Sequence, residues 1–226
     1  MSETEPTGHN PADDELPQTW TLASIGELVE SVRNGITYKN APDSGGIPIS
    51  RIQSISHGVI DFTSVGFAGL EEIDEKHLLQ PGDILLSHIN SISHLGKVAI
   101  YRDGYPPLVH GMNLLKLRCS DRILPKFFFF NLQNSETRTQ IWDRAQHAVN
   151  QASINIKQLK EVSVPVPPLA EQERIVEILE EQLSRLDAAL AVADAIEKRS
   201  AALRRSLLHA AFTGRLTEQW RELSHV

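Results

Sequence analysis

Cysteine, aromatic residues and long apolar runs are scarce in this chain of 226 residues. The single cysteine, Cys119, cannot form an internal disulfide framework, and no apolar run approaches the ~18 residues of a membrane-spanning helix. We also find no signal peptide. These absences argue against a disulfide-stabilised secreted protein and against a membrane protein, and they favour the reducing cytoplasm. Cys119 itself is expected to be a core residue.

Basic residues are also in short supply, because 22 Lys and Arg stand against 29 Asp and Glu. This balance at first argues against a nucleic-acid partner, which a basic surface would have to meet. The acidity is unevenly distributed, however. Residues 1–17 carry five acidic and no basic side chains, whereas residues 18–168 carry 14 of each. We therefore expect a disordered acidic leader over residues 1–15 and a neutral domain that can still present a basic face.

The composition pattern of residues 16–168 predicts an α+β domain with a twisted, mostly antiparallel sheet. A short helix is expected after Ser24, because Ser24 and Glu27 have the spacing of a capping box. The clearest strand candidates are Ile47–Ile55, Val59–Phe62, Ile84–Ile89, Lys97–Tyr101 and Leu114–Arg118. Pro125–Arg144 has helical length, and its cluster Phe127–Phe130 is expected in the core, with base stacking as the alternative.

A very long helix is predicted from Leu169 to Ala211, after a short strand with alternating valines and the pair Pro167-Pro168. It would measure roughly 64 Å and project as a spacer, and Gly214 is the expected left-handed stop. Apolar residues recur at steps of three and four, as in the seam of a coiled coil, with a stammer after Ala193. The predicted dimerisation residues are Val176, Leu179, Leu183, Leu186, Leu190, Ala193, Ile196, Leu203 and Leu207.

Two long motifs carry a family resemblance. Residues 167–176 read P-P-L-A-E-Q-E-R-I-V, and residues 207–220 read L-L-H-A-A-F-T-G-R-L-T-E-Q-W. Together with the long helix they resemble the conserved region of the DNA-specificity (S) subunit of type I restriction-modification systems. Shorter pieces lie upstream in the order that such subunits have around a target recognition domain: Leu16–Trp20, Pro81–Leu86, Gly96–Ala99 and Gln151–Asn155.

The resemblance implies a division of the chain and a set of partners. Residues 16–168 would be the target recognition domain, residues 169–213 the coiled-coil spacer and dimerisation helix, and residues 214–226 a conserved tail. Double-stranded DNA, methyltransferase (M) subunits and a restriction (R) subunit would be the partners. S-adenosylmethionine, ATP and Mg would belong to those subunits, with no cofactor on this chain. Such subunits usually hold two recognition domains and two long helices. This chain has one of each, so it resembles a half-size form that would pair as a homodimer through antiparallel helices. The alternative is the carboxyl-terminal half of a split or truncated gene.

Reading DNA requires donors and acceptors that reach base edges and cations that hold phosphates. Three loop segments supply both: Arg33–Lys39, Ser87–Lys97 and Gln146–Ser153. The candidate DNA-binding residues among them are Arg33, Asn34, Thr37, Tyr38, Lys39, Ser87, His88, Asn90, Ser91, Ser93, His94, Lys97, Asn150, Gln151 and Ser153. A plain surface turn is the alternative for the first segment.

Four further candidates come from single positions. Arg51 and Gln53 would lie on one face of the Ile47–Ile55 strand, where they could meet guanine and adenine edges, unless that face is an ordinary ion-paired sheet surface. His110 and Asn113 precede the Leu114 strand and could also face DNA, although a core position is the commoner fate of such a histidine. Asn155 is expected instead to cap a helix over residues 156–160 together with Gln158.

The sequence lacks a methyltransferase motif and contains a nuclease motif only in a loose form. A methyltransferase needs a glycine-rich cofactor turn and an Asn/Asp-Pro-Pro-aromatic clamp, and neither is present. Pro42-Asp43 followed by Asp74-Glu75-Lys76 satisfies a loose nuclease pattern for magnesium. Asp43 lies in an obvious turn, however, and Asp74 has the position of an ordinary N-cap. The histidines lack metal-ligand spacing. We predict a non-catalytic chain without a metal of its own; a coiled-coil adaptor whose head binds a protein is the alternative.

Overall fold

The computed structural model describes residues 16–39, 46–55, 58–69, 75–90, 95–149 and 151–224. The chain divides into two compact units, one ending at Val176 and one beginning at Glu177. The acidic leader predicted over residues 1–15 lies outside the described residues, as do Asp43 and Asp74 of the nuclease pattern.

Short strands and short helices alternate through the first unit. The strands are β1 Thr21–Ser24, β2 Val29–Asn34, β3 Gly46–Ser50, β4 Gly66–Gly69, β5 Ile84–Ser87, β6 Ile89–Asn90, β7 Val98–Ile100, β8 Val109–His110, β9 Leu114–Cys119, β10 Gln146–Ala148, β11 Gln151–Ser153 and β12 Ser163–Val166. The helices are α1 Ile25–Leu28, α2 Pro125–Asn131, α3 Ser135–Arg144 and α4 Ile156–Lys160. The helix α5, Leu169–Phe212, begins in this unit and continues into the second, where α6, Glu218–Ser224, follows.

Four small sheets make up the first unit's β-structure. The largest has the order β2-β9-β5-β7, and the others are β4-β3-β8, β10-β11-β6 and β1-β12. Every described ladder is antiparallel except the pairing of β3 with β8. The predicted α+β class with a mostly antiparallel sheet is therefore confirmed, and so is the long helix that follows it.

The core lies on both faces of the strand β5. Ile84 and Leu86 pack into one apolar cluster with the phenylalanines of α2, whereas Leu85 packs into a second cluster with Tyr101. All three β5 residues are fully buried. A strand covered on both faces has a continuous apolar run rather than alternation, which is the pattern that this segment shows. The predicted core position of the phenylalanine cluster is confirmed.

Several predicted elements differ from those observed. The strand expected over Ile47–Ile55 ends at Ser50, and a 3₁₀ helix covers Ile52–Ile55. No strand forms over Val59–Phe62, because Asp61 caps a 3₁₀ helix at Phe62–Ser64 by accepting from the Thr63 N–H. The expected helix Pro125–Arg144 is split in two at Asn134, whose side chain caps α3. Polar side chains that bond to nearby backbone compete in this way with regular structure.

Other local predictions hold. Glu27 accepts hydrogen bonds from the backbone and hydroxyl of Ser24 at 2.8 Å each, which also lower the pKa of Glu27. Asn155 and Gln158 form the expected reciprocal cap of α4, with distances of 2.9 and 3.1 Å. Both capping boxes were visible in the sequence because they depend only on neighbours three residues apart.

The motif Pro81–Leu86 has a structural explanation. Gly82 has a φ of 91°, which favours glycine, and the following Asp83 is buried. Its carboxylate accepts two hydrogen bonds of 2.8 Å from the Arg118 guanidinium and lies 4.0 Å from the buried Nζ of Lys116. The hydrogen bonds from Arg118 to Asp83 raise the pKa of Arg118, whereas burial lowers that of Lys116. This buried charge network fastens β9 to the turn before β5.

The motif at the start of α5 is also structural. Gln172 is fully buried, and its Oε1 accepts from the Leu124 N–H at 2.8 Å. Its Nε2 donates to the carbonyl oxygens of Pro167 and Arg122, at 2.9 and 3.2 Å. Beside it, the carboxylate of Glu171 accepts from the Trp20 indole N–H at 3.1 Å. These bonds anchor the first turns of α5 within the first unit.

The helix α5 has 44 residues, or roughly 66 Å at 1.5 Å per residue. Its predicted apolar stripe is exposed at Leu183, Leu186, Leu190, Ile196, Leu203 and Leu207, by 42% to 63%. Val176 differs, because it is only 8% exposed and packs in the core of the first unit. We therefore remove Val176 from the predicted dimerisation seam. Gly214 adopts the expected left-handed conformation, with φ of 76°, and its carbonyl accepts from Arg221 at 2.7 Å.

No helix in the described part of the chain combines the length and the apolar character that crossing a membrane requires.

Replacing Gln172 with alanine is expected to lower the free energy of unfolding by roughly 1–3 kcal/mol, because the Leu124 N–H and two carbonyl groups lose a buried partner. Urea denaturation followed by tryptophan fluorescence measures the change. The matched control is Gln182→Ala at an exposed position of α5, which should change stability by less than about 0.5 kcal/mol. Equal effects of the two substitutions would contradict the anchoring role of Gln172.

Candidate nucleic-acid interface

Two of the predicted loop segments meet in one small sheet. The strand β6 lies within Ser87–Lys97, and it pairs with β11, which pairs in turn with β10. The pairing places Ala152 opposite Asn90, and the Ile154 N–H donates to the His88 carbonyl at 2.9 Å. Segments about 60 residues apart in the sequence thus become neighbours. We call this three-stranded unit, β10-β11-β6, the hairpin sheet.

The hairpin sheet exposes polar side chains on the β10–β11 hairpin. Gln146, His147 and Gln151 are exposed, Ser153 is half-buried, and Ala152 is buried in the core. The candidates Ser91, Ser93, His94 and Asn150 lie outside the described residues, and for Asn90 the structure describes the backbone alone.

The other candidates gather around a cavity of about 330 Å³, which we call the Tyr38 cavity. Its lining is formed by Tyr38, Ser50, Arg51, Ile52, Gln53, Gly111, Met112, Asn113 and Leu114. This volume is at the lower end of the range for ligand sites in proteins. Of the residues predicted from sequence, the cavity brings together Tyr38, Arg51, Gln53 and Asn113. The prediction that Arg51 and Gln53 lie on one face of a strand was wrong, because both residues follow β3.

Close backbone contacts hold the loop Arg33–Lys39 against this cavity. The Gly35 N–H donates to the Leu114 carbonyl at 3.1 Å, and the Ile36 N–H donates to the His110 carbonyl at 2.9 Å. A Cβ atom on Gly35 would lie 2.1 Å from the Gly111 carbonyl oxygen, so that only glycine permits this approach. The glycine of the loop therefore has a packing function that its sequence context alone did not reveal.

The hairpin sheet and the Tyr38 cavity share a connecting segment, residues 110–114. The His88 N–H, one residue before β6, donates to the carbonyl of Asn113 at 3.3 Å. The side chain of Asn113 is exposed at the cavity. A backbone hydrogen bond therefore joins the two groups of candidate residues within the first unit.

Further cationic, amide and hydroxyl candidates are accessible on the first unit. Arg33, Asn34, Thr37 and Lys39 are exposed, and Lys97 is half-buried. Exposed lysine and arginine side chains can neutralise phosphates, whereas amide and hydroxyl groups can meet base edges. The arrangement thus offers both kinds of contact on one unit.

Three candidates lie inside the protein. Ser87 and His110 are fully buried, and His88 is 7% exposed. Because they are buried, these side chains do not reach a surface from which a base could be contacted. We therefore correct their assignment from base contact to internal support. Conversely, Met112 is 51% exposed at the cavity and was missed, since a lone methionine in a turn carries no recognisable signal.

The described residues contain no group of three or more His, Cys, Asp or Glu side chains placed to hold a metal ion. Lys76 of the loose nuclease pattern uses its carbonyl oxygen to accept a hydrogen bond of 2.9 Å from Lys116. Burial raises the pKa of the Cys119 thiol to about 12, so the reactive thiolate is scarce at neutral pH.

Comparison with known proteins identifies similar sequences over most of the chain. The family model for the type I restriction modification DNA specificity domain matches residues 17–192. A MjaX type I restriction enzyme specificity subunit from Methanocaldococcus jannaschii is 43% identical over 170 residues, which cover 73% of this chain and 40% of that protein. The chain spans about two fifths of the length of the curated relatives that it matches.

Solved structures show a similar fold. A chain from a structure describing complex assembly and conformational transition of the type I R-M system is 22% identical, with a TM-score of 0.58, and the match covers 86% of this chain and 45% of that one. The HsdS subunit from Thermoanaerobacter tengcongensis is 19% identical, with a TM-score of 0.57, covering 81% of this chain and 41% of that one.

The buried His110 makes stability depend on pH. Its Nε2 lies 3.3 Å from the Arg33 carbonyl and must donate to it, which leaves Nδ1 without a hydrogen-bond partner. Burial, together with the smaller effects of Lys116 and His77, lowers the pKa of His110 to about 4 despite this hydrogen bond. Between the ordinary pKa of about 6.5 and this value, only the unfolded chain takes up the proton.

We therefore expect the free energy of unfolding to fall as the pH decreases from about 6.5 to 4, by on the order of 3 kcal/mol from His110 alone. His110→Gln keeps a donor for the Arg33 carbonyl but cannot titrate, so it should remove this part of the pH dependence. Urea denaturation at several pH values tests the expectation, with His209→Gln on the exposed part of α5 as the control. A pH profile of His110→Gln that parallels the wild type would contradict it.

Proposed function

The chain belongs to the family of type I restriction modification DNA specificity domains, and from this we propose that it recognises one half of a two-part DNA target for a type I restriction-modification complex. The observation that carries the proposal is the junction at residues 110–114, which joins the Tyr38 cavity to the hairpin sheet. Uncharged donors and acceptors at both places, with Arg33 and Lys39 exposed beside them, are the mixture that reading bases and holding phosphates requires.

In this proposal the chain contributes recognition and no catalysis. Methyltransferase subunits would modify the target and a restriction subunit would cleave DNA, and both would be directed to the sequence that this chain reads. S-adenosylmethionine, ATP and Mg would then be bound by those subunits. The name of the relative from Methanocaldococcus jannaschii, a specificity subunit, supports this division of labour.

We further propose that a second copy of the chain covers the apolar stripe of α5. Side chains such as Leu186, Leu190 and Leu203 are 53% to 60% exposed, and their burial against a like helix would stabilise an antiparallel pair. A two-fold assembly of this kind reads inverted half-sites. The length of α5, roughly 66 Å, corresponds to about two turns of DNA at ~34 Å each.

Recognition is tested by sequencing methylated DNA from cells that express the cognate methyltransferase subunit with and without this chain. The expected result is one two-part methylated motif that disappears when the chain is deleted. Methylation that is unchanged by the deletion would contradict the proposal and favour a coiled-coil adaptor whose head binds protein.

The paired helices are tested by light scattering of the purified chain at micromolar concentration. We expect twice the mass of one chain, and Leu190→Glu should halve it, because a buried charge in the seam is strongly unfavourable. Val192→Glu is a matched control, since Leu190 and Val192 are both 59% exposed but Val192 lies outside the stripe. A monomeric wild type, or equal effects of the two substitutions, would contradict the pairing.

A further inference from the structure

Arg51 is held in one place at the Tyr38 cavity. It directly follows β3, and its Nε donates to the Tyr38 hydroxyl oxygen at 2.7 Å. Its Cζ lies 5.8 Å from the centroid of the Tyr38 ring. Arginine side chains lose considerable rotamer freedom when they bind a ligand, and this tyrosine restricts the freedom beforehand.

A glycine leaves the space in which the guanidinium lies. Gly66, the first residue of β4, is buried, and a Cβ atom added to it would lie 2.3 Å from Nη2 and 2.5 Å from Cζ and Nε of Arg51. Such distances are far shorter than any van der Waals contact, so another residue at position 66 would displace the guanidinium. Tyr38 therefore holds the guanidinium, and Gly66 leaves open the space that it occupies.

The rest of the lining indicates what the guanidinium would bind. Among the described residues that line the Tyr38 cavity, Arg51 carries the one charged side chain, and the polar side chains beside it include the carboxamides of Gln53 and Asn113. A phosphate site would gather several cations or backbone N–H groups. A single arginine among amides, with the apolar Met112 and Leu114, fits the edge of a nucleobase, which presents acceptors next to apolar ring atoms.

We infer that Arg51, held by Tyr38 in the space that Gly66 leaves open, recognises a guanine in the major groove of the DNA target. Its Nη1 and Nη2 donate to the O6 and N7 acceptors of the base, which is the commonest specific contact of arginine with DNA. The two Nη atoms carry four N–H bonds, and this contact uses two of them. The inference rests on the proposed function, because it assumes that the chain reads duplex DNA.

The first test compares methylated motifs from cells that express the wild-type chain, Arg51→Gln or Arg51→Lys together with the methyltransferase subunit. In both variants one guanine of the motif should become degenerate, with discrimination reduced roughly ten- to hundredfold, while the other positions stay unchanged. Lysine keeps the charge but lacks the two-pronged donor, so it should not restore specificity. Arg138→Gln, at an exposed position of α3, should leave the motif unchanged.

The outcomes separate the possible failures. If Arg51→Lys methylates with wild-type specificity, or if Arg51→Gln lowers methylation equally at all sites, Arg51 contacts phosphate and the inference is overturned. A wild-type motif without guanine in its half-site also overturns it. If the wild-type chain directs no methylation at all, the proposed function fails before the role of Arg51 is reached.

A second test keeps Arg51 and changes its surroundings or its ligand, in case Arg51 variants fold poorly. Gly66→Ala should displace the guanidinium and relax the same guanine position. In binding titrations of the wild-type complex, 7-deazaguanine at that position should weaken binding roughly tenfold, because N7 is lost while base pairing is kept. Arg51→Gln should bind both DNAs alike. Equal affinity of the wild type for the two DNAs would overturn the inference.

Discussion

A single buried amide, Gln172, joins the start of α5 to the rest of the first unit. Its three hydrogen bonds connect the start of α5 to the loop before α2 and to the end of β12. Every hydrogen that its Nε2 carries is used, and apolar side chains surround the group. A side chain of another length or charge cannot satisfy the same three groups, because a buried unpaired donor or acceptor is costly. Gln172 is thus a principal contact among those that anchor the first turns of α5.

The residues that make the sequence recognisable are therefore mostly structural. Gln172 and Glu171 fasten α5, and Asp83 holds Arg118 and Lys116 in the interior. Gln172, Glu171 and Asp83 lie in the motifs that carry the family resemblance, and each of them is explained by contacts inside the first unit. The candidate recognition residues, in contrast, lie in short turns and hairpins whose sequences have no distinctive pattern. Sequence motifs consequently identify the residues that hold the fold together more readily than the candidate recognition residues.

Sequence reasoning succeeded where the determining interactions were local. The two capping boxes, the long helix with its glycine stop and the apolar run of β5 depend on neighbouring residues, and all were predicted. The errors had tertiary causes. Ser87, His88 and His110 look like polar loop residues, yet sheets and helices remote in sequence cover them. Arg51 and Gln53 do reach one cavity, but through a 3₁₀ turn that ended the expected strand. No periodicity could have revealed Gly66 as the residue that makes room for Arg51.

The lining of the Tyr38 cavity has a consequence for how such a protein evolves. Gln53, Met112 and Asn113 are exposed, and the nearby core is closed by other residues, including Leu114 and Ile55. Substitution of exposed side chains usually changes stability by less than about 0.5 kcal/mol. Mutations at these three positions can thus accumulate without unfolding the chain. In the proposed function, new target preferences would therefore arise by neutral drift at positions that the fold tolerates, and selection would act on which DNA is read rather than on whether the protein folds.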